Sequence, residues 1–147
     1  MRGRRGFTVV ELVVALLVGS ILTSIALSTY GNAQGSFAVR GARNTFATML
    51  ARTRAQAIEA GSRVQLFVDV NGDSIFIRRG TENLETIRFD DELHVQLRSS
   101  VGSFRVCMNS RGYADTDCNK STTITLSFRQ NADSTSVKIL PLGQLVY

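Results

Sequence analysis

At 147 residues the chain has room for one folded domain and one appendage. Its 44% hydrophobic and 20% charged residues exclude a disordered, charge-driven polymer. The formal charge of +5 falls to +2 once the first six residues, with Arg2, Arg4 and Arg5, are set aside, so basicity alone does not call for a nucleic-acid partner. Fifteen arginines against two lysines would favour bidentate anion pairing, but a genome rich in G and C produces the same bias without function.

In chain order, the first predicted element is an apolar helix. From Phe7 to Leu27 the only charged residue is Glu11, and 21 helical residues span roughly 30 Å, the thickness of a bilayer's hydrocarbon core. The three arginines lie on one side of it, which places that end in the cytoplasm and everything after Leu27 outside. A secretory signal peptide with a small-residue site at Ala26-Leu27-Ser28 and a plain signal anchor are the two ordinary readings. Glu11 counts against both, because a carboxylate inside an apolar helix is costly and marks function by default. Its local explanation is a capping box, with Thr8 as N-cap and Glu11 three residues on. A cut after Gly6 would add a second role, because the new ammonium on Phe7 would lie about one helical turn from the carboxylate.

The segment Gly6-Phe7-Thr8-Val9-Val10-Glu11, with basic residues before it and an apolar run after it, resembles the class III leader of type IV pilins and type II secretion pseudopilins. That resemblance implies cleavage after Gly6 by a prepilin peptidase and methylation of the new terminus at Phe7. It also implies that Glu11 guides docking into a growing filament. Ser28 stands where many major pilins carry a proline that kinks or melts the first helix.

Beyond Leu27, Gly31, Gly35 and Gly41 follow closely, and 30–36 is the expected joint between stem and head, unless the helix simply runs through it. Phe46, Met49, Leu50, Thr53, Ala57 and Ile58 then recur at helical spacing as one core-facing stripe, predicting a helix over 37–60 with Gly61 as its C-cap. The period next changes to two. Val64, Leu66, Val68 and Val70 alternate with Gln65, Phe67 and Asp69, and Asn71-Gly72 supplies a hairpin turn before a strand over 74–79. Further strands are expected over 85–89, 93–98, 103–108, 122–129, 136–140 and 144–147. A long N-terminal helix followed by a run of short antiparallel strands is an α+β head whose sheet buries one face on the helix.

The helical segment from Phe46 to Ile58, the glycine and valine-rich strand after it, and the closing Val137-Lys138-Ile139-Leu140-Pro141-Leu142-Gly143-Gln144-Leu145 resemble the GspH/FimT group of minor pilins and pseudopilins. The resemblance implies a leader over 1–6, a transmembrane and filament-core helix over 7–30 and a periplasmic head over 31–147. It implies single-pass insertion in the inner membrane with the head outside, then transfer to the pilus or pseudopilus. The implied partners are the prepilin peptidase, other pilins in a helical filament and an inner-membrane assembly platform. The implied role is a minor subunit near the filament tip, priming a type II secretion pseudopilus or a type IV pilus. The alternative is a DNA-binding minor pilin for natural transformation. Members of the group that bind DNA do so through arginines near the C-terminus, and the tail here, from Gly143 to Tyr147, has none.

No catalytic set, cofactor site or metal site is expected. His94 is the only histidine, so neither a histidine metal cluster nor a histidine-dependent triad can be completed. Asp69, Asn71 and Asp73 share the alternation of a calcium loop, but Ser74 and Gly80 replace its glycine and its bidentate acid, so a hairpin explains them better. Asp90, Asp91 and Glu92 read as a solvated turn, or as a subunit contact. Arg78, Arg79 and Arg129 could build a phosphate patch only if the fold gathered them. Cys107 and Cys118 bracket a segment of turn formers, and with the head outside the cytoplasm a disulfide is expected between them.

Overall fold

The computed structural model describes residues 8–115, 118 and 122–147, with 28–33 as backbone only. Helix α1 spans Val9–Glu59. It opens at Thr8, whose hydroxyl accepts the Glu11 N–H at 3.2 Å and whose carbonyl accepts the Leu12 N–H, satisfying donors that a helix start leaves unpaired. It closes at Gly61, which takes a positive φ of 57°. Ser62 N–H donates to the Ala57 carbonyl and Gly61 N–H to that of Ile58, a Schellman pairing that only a left-handed residue permits without strain. The helix also runs through the glycine-bearing stretch read as a joint, which is the second of the two expected outcomes there.

The chain divides into two compact units, one ending at Gln34 and the other covering Gly35–Tyr147. Within the second, α1 buries Val39, Ala42, Phe46, Met49, Leu50, Thr53 and Ala57, a stripe at spacings of three and four. Thr53 tolerates burial because its hydroxyl donates to the Met49 carbonyl at 2.7 Å. Ile58 departs from the expected stripe. It is 54% exposed, because it stands four residues after Arg54 and shares that side of the helix instead.

Eight strands follow among the described residues: β1 Val64–Asp69, β2 Ser74–Arg79, β3 Glu82–Arg88, β4 Gln96–Ser99, β5 Phe104–Met108, β6 Ile124–Gln130, β7 Asp133–Ile139 and β8 Leu145–Val146. A five-residue helix, α2 Phe89–Leu93, stands between β3 and β4. The strands form two four-stranded antiparallel sheets in the orders β3-β2-β1-β5 and β4-β6-β7-β8. The sequence suggested one sheet; α2 is where the chain leaves the first sheet for the second, and β5 returns to the first. Phe89, expected to end a strand, instead opens α2 and is fully buried, while Leu93 closes α2 rather than opening β4.

Both sheets contribute alternate residues to one core. Val64, Leu66 and Val68 of β1, Ile75 and Ile77 of β2, Leu126 and Phe128 of β6, and Val137 and Ile139 of β7 are all buried. Phe128 joins the layers, with its ring centroid 6.1 Å from Phe46 of α1 and 6.0 Å from Phe89 of α2. Burial of a side chain this size contributes about 1.5–3 kcal/mol.

The β1–β2 turn differs from the expected two-residue hairpin. Asp69 pairs with Ser74, leaving four residues in the loop, and the positive φ of 42° falls on Asp73 rather than on Gly72. Other segments dictate this. The Asp69 carboxylate accepts the Asn71 N–H, while Asp73 accepts the Leu97 N–H on its side chain at 2.6 Å and the Phe89 N–H on its carbonyl at 2.8 Å. Asp73 thereby ties the turn to α2 and β4.

Candidate functional site

The described part of the N-terminal unit has one chemical character. Val9–Leu27 is a helix long and apolar enough to cross a membrane, and none of it is buried within the protein. Two of its hydroxyls are turned inward to the backbone: Ser20 donates to the Leu17 carbonyl and Thr23 to the Gly19 carbonyl, each at 2.8 Å. Such internal pairing lets Ser and Thr sit in an apolar medium without an orphan donor. Gly19 has open space where a Cβ would stand, so a neighbouring helix could approach its backbone closely there.

Glu11 lies in the first turn of α1 and is exposed. A carboxylate there is favoured by the partial positive charge of the helix N-terminus, worth about 0.3–1 kcal/mol at an exposed site. Its own N–H is already satisfied by Thr8. Cap formation by Thr8 and a second use of the Glu11 carboxylate are therefore compatible. Gly6 and Phe7 lie outside the described residues.

In the second unit the sequence-marked residues separate. Cys107 and Cys118 are joined, with their Cα atoms 5.9 Å apart, inside the normal range for a disulfide. Asp69 and Asp73 are occupied by backbone donors and by Ser103, as a hairpin requires. His94 is the left-handed C-cap of α2, with φ 53°. Asp90, Asp91 and Glu92 form the exposed first turn of α2, and Asp91 pairs with Arg88 at 3.5 Å.

The arginines do not form one group. Arg78 donates to Asn83 and lies over the stacked rings of Phe67 and Phe76, 5.3 and 5.4 Å from their centroids. Arg79, the next residue on β2, pairs with Glu82 at 3.2 Å. Arg129 belongs to the other sheet and donates to the Asn131 carbonyl. Lys138, the basic residue nearest the C-terminus, lies on β7 opposite Val146.

Arg54 carries a structural role that the helical pattern did not reveal. Its Nε donates to the Gly112 carbonyl at 2.9 Å and its Nη2 to the Gly143 carbonyl at 3.3 Å. A Cβ at Gly112 would come within 2.8 Å of Ile58 and 3.0 Å of Arg54. Its only trace in the sequence is a polar residue beside the core stripe, which names no partners so distant in the chain.

Residues 1–27 match the prokaryotic N-terminal methylation motif. No curated protein sequence matches the chain. The structure is similar to the type IV minor pilin FimU of Pseudomonas aeruginosa, with a TM-score of 0.56 and 12% identity, over 74% of this chain and 86% of FimU. A second crystal form of FimU gives a TM-score of 0.54 at 13% identity, over 73% of this chain and 90% of that one. The minor pseudopilin EpsH from the type 2 secretion system of Vibrio cholerae gives 0.51 at 15% identity, over 74% of this chain and 94% of EpsH.

Proposed function

We propose that this chain, which joins a prokaryotic N-terminal methylation motif to the fold of type IV minor pilins and minor pseudopilins, is a non-catalytic filament subunit matured by a prepilin peptidase. The peptidase cuts after Gly6 and Phe7 becomes the methylated N-terminus. The apolar helix holds the subunit in the inner membrane with its head outside. From there it passes through an assembly platform into a pilus or pseudopilus, where it primes growth near the tip.

One observation carries this reading. The helix from Val9 to Leu27 is apolar on every side and buried nowhere in its own chain, and its single charge lies in its first turn. Such a surface needs a lipid or a bundle of like helices around it. Inside that bundle Glu11 would pair with an ammonium at the new terminus of its own helix or a neighbour's.

The fold is found in a type IV pilin and in a type 2 secretion pseudopilin alike, so the machine is chosen by experiment. A strain lacking the gene is assayed for protein secretion, pilus assembly and transformation. Loss of secretion or of pili, restored by the wild-type gene and not by Gly6→Glu, is the expected outcome. Loss of transformation alone, with secretion and filaments intact, would contradict the structural role in favour of DNA uptake.

A further inference from the structure

At the start of the second unit, the first turns of its part of α1 and the beginning of β7 enclose a polar cleft of about 450 Å³. Ser36, Arg40 and Arg43 line it from the helix, and Asp133, Ser134 and Thr135 from the strand. Arg43 lies with its guanidinium carbon 4.9 Å from the centre of the Tyr147 ring, and its Nε is buried with no hydrogen-bond partner. Neither Arg40 nor Asp133 enters an ion pair among the described residues. The position of Asp133 depends on Gly35, where a Cβ would collide with its carboxylate.

Two guanidinium groups lining a cleft with the hydroxyls of Ser36, Ser134 and Thr135 suit a tetrahedral anion, which arginine engages through more than one N–H. The carboxylate on the opposite wall disfavours a bare polyanion and supplies an acceptor for a cation held beside that anion. We infer that the cleft formed by Arg40, Arg43 and Asp133 binds a zwitterionic phosphate head group, the phosphate against the two arginines and a primary ammonium against Asp133. A phosphoethanolamine group has both charges and three N–H donors for Asp133, whereas a quaternary choline has none. Its source is a membrane phospholipid or the free phosphomonoester. The lipid source rests on the membrane reading above; the soluble source does not.

The test uses the full-length chain in detergent micelles, with two arms. In the first, equal amounts of phosphatidylethanolamine, phosphatidylcholine and phosphatidylglycerol are offered and retained lipid is counted by native mass spectrometry. In the second, soluble phosphoethanolamine is titrated while the Tyr147 ring signal is followed by NMR. The wild-type chain is expected to retain the ethanolamine lipid about tenfold over the choline lipid, the difference made by one charge-assisted contact. Arg40→Ala and Arg43→Ala should each lower ethanolamine-lipid retention about tenfold. Asp133→Asn should abolish the preference for ethanolamine over glycerol while keeping the phosphate contact, and Gly35→Ala, by displacing Asp133, should do the same.

Binding of soluble phosphoethanolamine without lipid preference would assign the site to the free compound. Equal retention of all three lipids with no response to the soluble compound would overturn the inference. Unchanged retention in Arg40→Ala, whose exposed side chain can be removed without opening the core, would overturn it too. Displacement of bound lipid by a single-stranded oligonucleotide but not by phosphoethanolamine would overturn it in favour of nucleic acid.

Discussion

Leu16 and Leu17 are 66% and 59% exposed, whereas Met49 and Leu50, on the same helix α1, are 1% and 3% exposed. The residue types are alike; what differs is what surrounds them in sequence. Around Leu16 the apolar residues cover the whole circumference, so no single face is singled out for the chain's own core. Around Met49 the stripe is flanked by Arg40, Arg43, Arg52 and Arg54, and two sheets close on the apolar side. One half of the helix is thus completed by its own fold. The other is left uncovered by it.

That contrast can be broken most severely in the head. Phe128→Ala removes the ring shared by Phe46 and Phe89 and should cost about 3–5 kcal/mol, read as a lowered denaturation midpoint of the full-length chain in micelles. Membrane association should persist, because the apolar helix does not take part in that core. Release of the variant from the membrane fraction would show that the two regions are not energetically separate.

A smaller loss is expected from Cys107→Ser combined with Cys118→Ser. Closing a loop of this length is worth roughly 3 kcal/mol in the chain-entropy account. Thermal denaturation of the oxidised wild type beside the double variant measures the difference, and an unchanged midpoint would remove the disulfide from the stability of the head.

The mildest change in composition tests the stem. If Glu11 only caps its helix, Glu11→Gln should be nearly neutral, because glutamine also completes a capping box. If the carboxylate pairs with an ammonium in an apolar layer, the amide leaves that cation uncompensated at a cost of about 3 kcal/mol. Incorporation into filaments should then fall more than tenfold, while the head's denaturation midpoint stays unchanged. The ratio of filament-associated to membrane-pool protein separates the two, and a wild-type ratio for Glu11→Gln would leave the cap as its only role.

Much of this architecture was legible because local chemistry and tertiary contacts agree. The buried alternation of Val64, Leu66 and Val68 and the helical stripe from Phe46 to Ala57 are periodic signals that burial alone can read. The split into two sheets was not legible, since strand pairing beyond a hairpin leaves no periodic trace. Phe89 shows why: its residue type fits a strand, and its burial in α2 is decided by Phe128 and by the Asp73 carbonyl, both distant in sequence. Asn71-Gly72 misled in the same way, because the left-handed residue of that turn is fixed by what Asp73 reaches across to bind. At the N-terminus, the match over residues 1–27 agrees with the leader pattern. The cleft with Arg43 and Asp133 had no sequence signature, because its walls come from segments about 90 residues apart joined only by the fold.

The account depends on the apolar helix staying attached to the head after the basic leader is removed, and the intact mass of the chain extracted from its native membrane measures this directly. A chain beginning at Phe7 and carrying one added methyl group is predicted, with Gly6→Glu accumulating as the full-length species starting at Met1. A wild-type chain that begins at Met1, or one cut near Ala26 so that the helix is lost, would contradict it.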